Sequence, residues 1–494
     1  MSNKNRISTL IIISFATVLL ISTIYHETWG DEMESWNMAR NSTDLTNLYY
    51  NIRYGGNPGL WHLLMYIGSF FSRQMFTLQA LNYIVAVLTT VILVKRSPFS
   101  TVNKFLISFG YYFVYEYGTI ARHYALTALL LFTILSFYRT RKKNIFYISL
   151  LSLLLSASSP YGTILTLGIF ICLLLEYLYS KFKEKRISFE KDQKRLASLT
   201  IIFLGIVLCY ALAIPPEDGA ANYQLNRTYK DVKLFKETTA FVWESYIPIP
   251  QFNTNHYWNT NVLTNLNHKF ALSILLGALS VYVFYKNPKA LGFYIITSGL
   301  FLSFSYIRFS GTMRHNGHLF LVFLGALWIL YSEDKTKNLI VVKRVFISII
   351  LLIQLIVGLY FVNMGIKNEF YSAKRAAQFL QDNNYENWYF IADDDGEPFV
   401  VAGFLDREVY FPRTKREGTF LIFDQKRLES VSSVDKTIQK TMEKYNDDKK
   451  KIILILTYEL NDQAYPVTFL KSYPPGTANE HTIYLYKWDP AAIT

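Results

Sequence analysis

The chain has 494 residues and a formal charge of +13, yet 51% of its residues are hydrophobic and only 18% are charged. Soluble domains carry nearer a quarter charged residues, so the composition is that of a membrane protein. The lysines and arginines sit in short clusters between apolar runs, which argues against a nucleic-acid face, and Cys172 and Cys209 lie inside apolar runs, which argues against a disulfide framework or a thiolate metal site.

In chain order, a basic start (Lys4, Arg6) leads into the apolar run Ile7–Ile24, which ends without a small-x-small cleavage site and reads as a retained first helix. Gly30-Asp31-Glu32-Met33-Glu34-Ser35-Trp36 follows at once, so three carboxylates emerge at a membrane face, where they are costly unless something uses them. Helix capping explains one of these acids well and three poorly. Glu34 shares a helical face with Asp31 and reads as a supporting residue. The next apolar run, Gly59–Phe71, has about 13 residues and carries His62; a span needs about 20, so it is expected to be an interfacial helix. Runs suited to spans then follow at Phe76–Val94, Phe105–Tyr115, Ala125–Tyr138, Ile145–Ser158, Thr163–Tyr179, Leu196–Ala213, Phe270–Tyr285, Leu291–Ile307, Leu319–Tyr331 and Leu339–Val362.

Placing every basic cluster in the cytoplasm gives about eleven transmembrane helices, an inside N-terminus and an outside C-terminus, in a plasma or inner cell membrane. The expectation is an α-helical polytopic membrane protein: residues 1–364 form the membrane domain, with outer loops 25–75 and 215–269, and residues 365–494 form a small extracytoplasmic α/β domain. In that tail Lys374–Asn383 reads as a helix, while 388–392, 451–457 and 482–488 read as strands. Asp393-Asp394-Asp395 reads as a polar turn, because its spacing does not match a calcium loop. Asn41-Ser42-Thr43 and Asn226-Arg227-Thr228 fit the glycosylation acceptor pattern.

The spans are nearly free of charge at mid-depth. Glu176 is placed one turn from a cytoplasmic helix end, within reach of water or Lys181. The outer ends are crowded instead: Asp31, Glu32, Glu34, Arg53, His62, Glu116, Arg122, His123, Arg308, Arg314, His315 and His318. A transporter or flippase of lipid-linked sugars, the main alternative, would place polar residues along a midplane path. An enzyme acting on a lipid-borne substrate would place them at headgroup level, as here. A carboxylate there can serve as general base on a hydroxyl, and arginines with a histidine can hold a phosphate as it leaves. The set suits glycosyl transfer from a polyprenyl-phosphate sugar. His315 and His318, at i,i+3, are compatible with a metal, but no third ligand is evident and no cofactor is indicated; contact with the donor's phosphate or sugar, beside Gly317, is the preferred role.

Three segments resemble the GT-C glycosyltransferases, in particular the branch of protein O-mannosyltransferases and lipid A aminoarabinose transferases. They are the Asp31-Glu32 pair after the first span, Asn57-Pro58-Gly59-Leu60-Trp61-His62-Leu63-Leu64, which resembles that branch's Pro-Pro-Leu-Tyr-Tyr-type motif, and Ala121-Arg122-His123-Tyr124-Ala125-Leu126, which resembles its Ala-Arg-x-Tyr-Ala-Leu segment. The resemblance covers roughly Ile7 to Leu130, the later spans only by topology, and the tail hardly at all. It implies an inverting transfer to an acceptor hydroxyl on a glycan, lipid or protein, with Asp31 as base and Glu32 orienting a substrate. Arg122 and Arg314, with Arg53 and Arg308 at lower rank, are then the phosphate candidates, and His62 and Glu116 complete the binding set. Asn57-Pro58-Gly59 departs from the branch's paired prolines, which puts a direct role for Asn57 in doubt. No Trp-Trp-Asp motif is present, which argues against whole-glycan transfer to asparagine and against an obligatory metal of that kind.

Overall fold

The computed structural model describes residues 3–184, 189–220, 230–252, 254–333, 340–392, 396–429, 441, 450–460 and 467–488. The acids 393–395 and the acceptor pattern at 226–228 lie outside the described residues.

The first helix, α1 (Asn3–Tyr25), has a basic first turn and is predominantly apolar from Ile7 onward. After it the chain forms three short helices, α2 (Gly30–Arg40), α3 (Leu45–Ile52) and α4 (Leu60–Ser69), none long enough to cross a bilayer. The start of α2 is set by its own acids. Asp31 and Glu32 occupy the first turn, where the helix end favours negative charge, and Glu32 reaches back to accept the Trp29 backbone N–H at 3.2 Å. The Asp44 side chain caps α3 by accepting the Asn47 N–H. At the head of α4, Gly59 has φ +107°, and a Cβ there would lie 2.9 Å from Ile52 Cδ1, so both conformation and space call for glycine.

The chain continues through α5 (Met75–Arg96), α6 (Thr101–Ser108), α7 (Tyr124–Ser136), α8 (Ile145–Ser158), α9 (Pro160–Glu184), α10 (Phe189–Ala213), α11 (Val232–Tyr246), α12 (Leu266–Phe284), α13 (Pro288–Ile307), α14 (Met313–Glu333) and α15 (Val341–Lys367). Among the described residues seven helices are long and apolar enough to cross a membrane: α1, α5, α9, α10, α12, α13 and α15. Large apolar side chains stand exposed along them, such as Leu10, Leu204 and Ile356, as a lipid-facing surface requires. The architecture is that of a helical multi-pass membrane protein.

The four other expected spans take different forms. The run Phe105–Tyr115 is broken, because α6 ends at Ser108 and a π-helical turn, Tyr112–Glu116, follows. With 13 and 14 residues, α7 and α8 are each about 20 Å long, against a hydrocarbon core of about 30 Å. The run Leu319–Tyr331 lies in α14, which has 21 residues and is buried almost throughout, so other helices surround it. Glu176 pairs with Arg141 at 2.9 Å rather than with Lys181, whose ammonium lies 2.5 Å from Asp192.

The tail contains α16 (Ala373–Asp382), β1 (Tyr389–Ala392), α17 (Pro398–Phe404), β2 (Val409–Phe411), β3 (Arg416–Gly418), α18 (Gln425–Glu429), β4 (Ile452–Leu456), β5 (Thr468–Tyr473) and β6 (Ile483–Trp488). The strands form one sheet in the order β3-β2-β1-β4-β6-β5, with β1 parallel to β2 and β4 and the other pairs antiparallel. Ile452–Leu456 is buried at every residue, as expected of a central strand covered on both faces. This α/β unit docks on α2. Arg40 donates to the Gly403 carbonyl at 2.6 Å, Asn37 to the Thr419 carbonyl at 2.6 Å, and Arg73 pairs with Asp406 at 2.8 Å. Asn41 is drawn into the same contact, donating to Thr419 Oγ1 at 2.7 Å and accepting from Arg73 at 2.6 Å.

Candidate functional site

Three chain segments converge on the first turn of α2. The loop after the π-helical turn delivers Arg122, and the first turn of α14 delivers Arg314. Arg122 Nη1 lies 2.8 Å and Arg314 Nη2 lies 3.0 Å from the same oxygen, Asp31 Oδ2. The Asp31 side chain is 31% exposed, whereas the arginines are 12% and 14% exposed, so the carboxylate is the more accessible member of the cluster. Glu32 and Glu34 also act on Arg122, so the two guanidiniums sit among several carboxylates; both converge on one oxygen of the more exposed Asp31, where an anion with several acceptor oxygens can compete for them.

Glu32 points the other way and is fully buried. One carboxylate oxygen accepts from Trp29 N–H and meets His26 Nε2 at 2.8 Å; the other accepts the Ala121 backbone N–H at 2.5 Å. Glu32 thereby ties the start of α2 to the residue just before Arg122 and sets the spacing between Asp31 and that arginine.

Arg314 is held by aromatic rings as well as by charge. Its guanidinium carbon lies 4.8 Å from the Trp29 ring centroid and 5.6 Å from that of Trp258, and these two indoles meet edge to face at 4.9 Å. Trp258 Nε1 in turn donates to Glu116 at 3.0 Å, and Tyr111 donates to the same oxygen at 2.5 Å. Glu116 is buried and orients Trp258 instead of pairing with Arg122. Trp29, Trp258, His26 and the Ala121 N–H were not singled out from sequence. The signal available was only the Trp- and Tyr-rich character of the loop 215–269 and the two tryptophans, Trp29 and Trp36, beside the acids.

The histidines lie behind the arginines. Burial, reinforced by the charge of Arg122, pushes His62 down to about 3. Burial followed by Arg122 also drives His123 well below the usual imidazole range. Both rings are therefore neutral at physiological pH. His315 Nδ1 accepts from the Thr312 backbone N–H at 2.8 Å, and His318 Nδ1 lies 2.8 Å from the His315 carbonyl. The close approach at Gly317 is taken by Tyr112 and Tyr117, whose ring and hydroxyl atoms would lie 2.2 and 2.3 Å from a Cβ there. Arg53 lies apart from these contacts, over the rings of Tyr50 and Tyr54 at 4.9 and 5.0 Å, and Arg308 is exposed at the end of α13.

Several buried polar atoms around this centre have no hydrogen-bond partner among the described residues, among them Arg122 Nε, Arg314 Nε, Trp29 Nε1, His62 Nδ1 and His123 Nε2. Such atoms are normally satisfied, and their concentration beside an open carboxylate marks a place for a polar ligand. Among the described residues no three His, Cys, Asp or Glu side chains converge to hold a metal ion. In comparisons with known proteins, neither a family model nor a curated sequence matches the chain.

Proposed function

We propose that this protein is an integral-membrane inverting glycosyltransferase of the GT-C type, transferring a sugar from a polyprenyl-phosphate donor to an acceptor hydroxyl. The observation that carries this reading is the open Asp31 carboxylate clasped by Arg122 and Arg314 at the end of the helical bundle. In the resting protein the arginines hold Asp31. The donor phosphate competes for the same guanidiniums, and its arrival releases the carboxylate for chemistry. The acceptor oxygen then attacks the anomeric carbon while Asp31 takes its proton. The bond from that carbon to the phosphate oxygen breaks, both electrons leave with the polyprenyl phosphate, and the charge that develops is stabilised by Arg122 and Arg314. Attack opposite the leaving group inverts the configuration. Glu32 acts as a positioning residue through Ala121, and Trp29 and Trp258 hold Arg314 in place.

The topology that goes with this reading has eleven crossings, with α7, α8, α14 and the α6–π-turn segment completing their passes among other helices. The N-terminus is cytoplasmic, and the α2 face and tail are extracytoplasmic, in a plasma or inner membrane where the lipid carrier presents its sugar. The docking of the tail on α2 supports an acceptor side shaped by both.

The test is transfer of labelled sugar from a polyprenyl-phosphate donor by the purified protein in nanodiscs. The wild type transfers, and Asp31→Asn loses roughly 100-fold or more of the rate, the usual contribution of a positioned base. Undiminished transfer by Asp31→Asn would remove it as the base. Movement of intact donor across vesicles without bond cleavage would replace the transferase with a transporter.

A further inference from the structure

A second feature lies at the opposite end of the bundle. Arg314 and Glu333 mark the two ends of α14, about 28 Å apart along the helix, which is close to one hydrocarbon thickness. Around the Glu333 end, α7, α8, α9, α13 and α14 enclose a cavity of about 470 Å³. Its walls are apolar, built from residues such as Ile148, Ile169, Leu173 and Phe293. Its rim includes Leu175 and Tyr179, which are 52% and 69% exposed on the outer surface of α9, so the cavity opens sideways, where lipid chains lie.

Charge is gathered at the same level. Arg141 is bound by Glu176 at 2.9 and 3.0 Å and lies 3.4 Å from Glu333, and it stacks 4.2 Å from the Tyr138 ring. Lys289 is 44% exposed and donates to Glu333 at 2.7 Å. Glu176 and Glu333 balance Arg141 and Lys289 at the cavity, so the excess positive charge comes from the adjoining basic residues. Arg139, Lys142 and Lys143 lie in the adjoining turn and add to that field. Arg141 is held by two carboxylates and is 12% exposed, whereas Lys289 pairs with Glu333 alone and keeps an exposed side at the rim.

We propose that this cavity is a binding site for an anionic phospholipid, with one acyl chain in the apolar chamber and the headgroup phosphate on Lys289. The chamber has the size of a small-molecule site, its mouth faces the bilayer, and a basic pocket between membrane helices is the kind of place where anionic headgroups bind. The site is separate from the Asp31 centre and does not depend on the transferase reading.

Gly292 supplies the test. It lines the chamber, and a Cβ built there meets nothing within 4 Å, so Gly292→Leu starts its side chain in open space. The protein is purified in detergent, and bound lipid is counted by native mass spectrometry with added phosphatidylglycerol, phosphatidylcholine or polyprenyl phosphate. The expected result is one phosphatidylglycerol bound in preference to phosphatidylcholine, with binding weakened roughly tenfold or more in Gly292→Leu and in Lys289→Glu. Asp31→Asn binds it unchanged, and each variant keeps the lipid-free unfolding temperature of the wild type to within a few degrees. If Gly292→Leu folds and binds phosphatidylglycerol like wild type, the cavity is not the site. Equal retention of phosphatidylcholine, or retention of polyprenyl phosphate alone, would overturn the assignment of the occupant.

Discussion

Asp31 and Glu32 are neighbours in sequence with opposite fates, and their environments explain the division. Asp31 keeps one side open while two guanidiniums bind a single oxygen. Glu32 has no open side, and its oxygens serve the Trp29 and Ala121 backbone N–H groups and the His26 ring. Removing a buried acceptor strands its donors, at a cost of about 1–3 kcal/mol each. Glu32→Ala is therefore expected to lower stability by about 3 kcal/mol, read as a drop in the unfolding midpoint in detergent. An unchanged midpoint would show that the tie between α2 and the Arg122 loop carries little. Arg314 shows the same logic from the other side: two adjoining indoles hold a long, flexible cation against Asp31.

The short helices between α1 and α5 place these residues at the end of the bundle. Gly59 is the joint that lets α4 start where it does, since its positive φ and the nearby Ile52 side chain exclude a Cβ. A left-handed conformation costs an ordinary residue about 1–2 kcal/mol. Gly59→Ala is expected to destabilise the protein by at least that much, with the contact on Ile52 adding to it; the check is thermal unfolding monitored by tryptophan fluorescence. A stability equal to wild type would mean that α3 and α4 shift freely. The ten-residue length of α4 agrees with the reading of Gly59–Phe71 as too short to cross, a conclusion available from sequence because length against bilayer thickness is a one-dimensional argument. The same argument was insufficient for Phe105–Tyr115. There the apolar count resembles a span, but the backbone breaks at Gly110 and turns through a π-helical segment so that Glu116 and Tyr117 face partners far along the chain.

Over the whole molecule, α2 is clamped between the membrane helices and the sheet domain, and the clamp is partly ionic. Burial by itself would raise the pKa of Asp406, but the Arg73 hydrogen bonds and the charges of Arg40 and Arg73 outweigh it and hold it below the usual carboxylate range. The contribution of this pair is thus complete above the unfolded value of about 4 and is lost as pH falls through the lower folded value. Limited proteolysis of the tail is expected to be slow at neutral pH and faster in acid. Asp406→Asn should show the faster cleavage already at neutral pH; identical cleavage of variant and wild type there would remove this pair from the docking interface. The sequence by itself determined the membrane class, the basic clusters between apolar runs, the placing of Asp31, Arg122 and Arg314 at ends of apolar runs, and the strands that became β1, β4 and β6, because hydropathy, charge and apolar runs are local properties. The tertiary structure alone decided that both arginines share one oxygen of Asp31, that Glu32 is buried, that Trp29 and Trp258 pack together against Arg314, and that the tail rests on α2. Those contacts join positions up to 382 residues apart, and they depend on how helix ends are brought together rather than on any pattern within a segment.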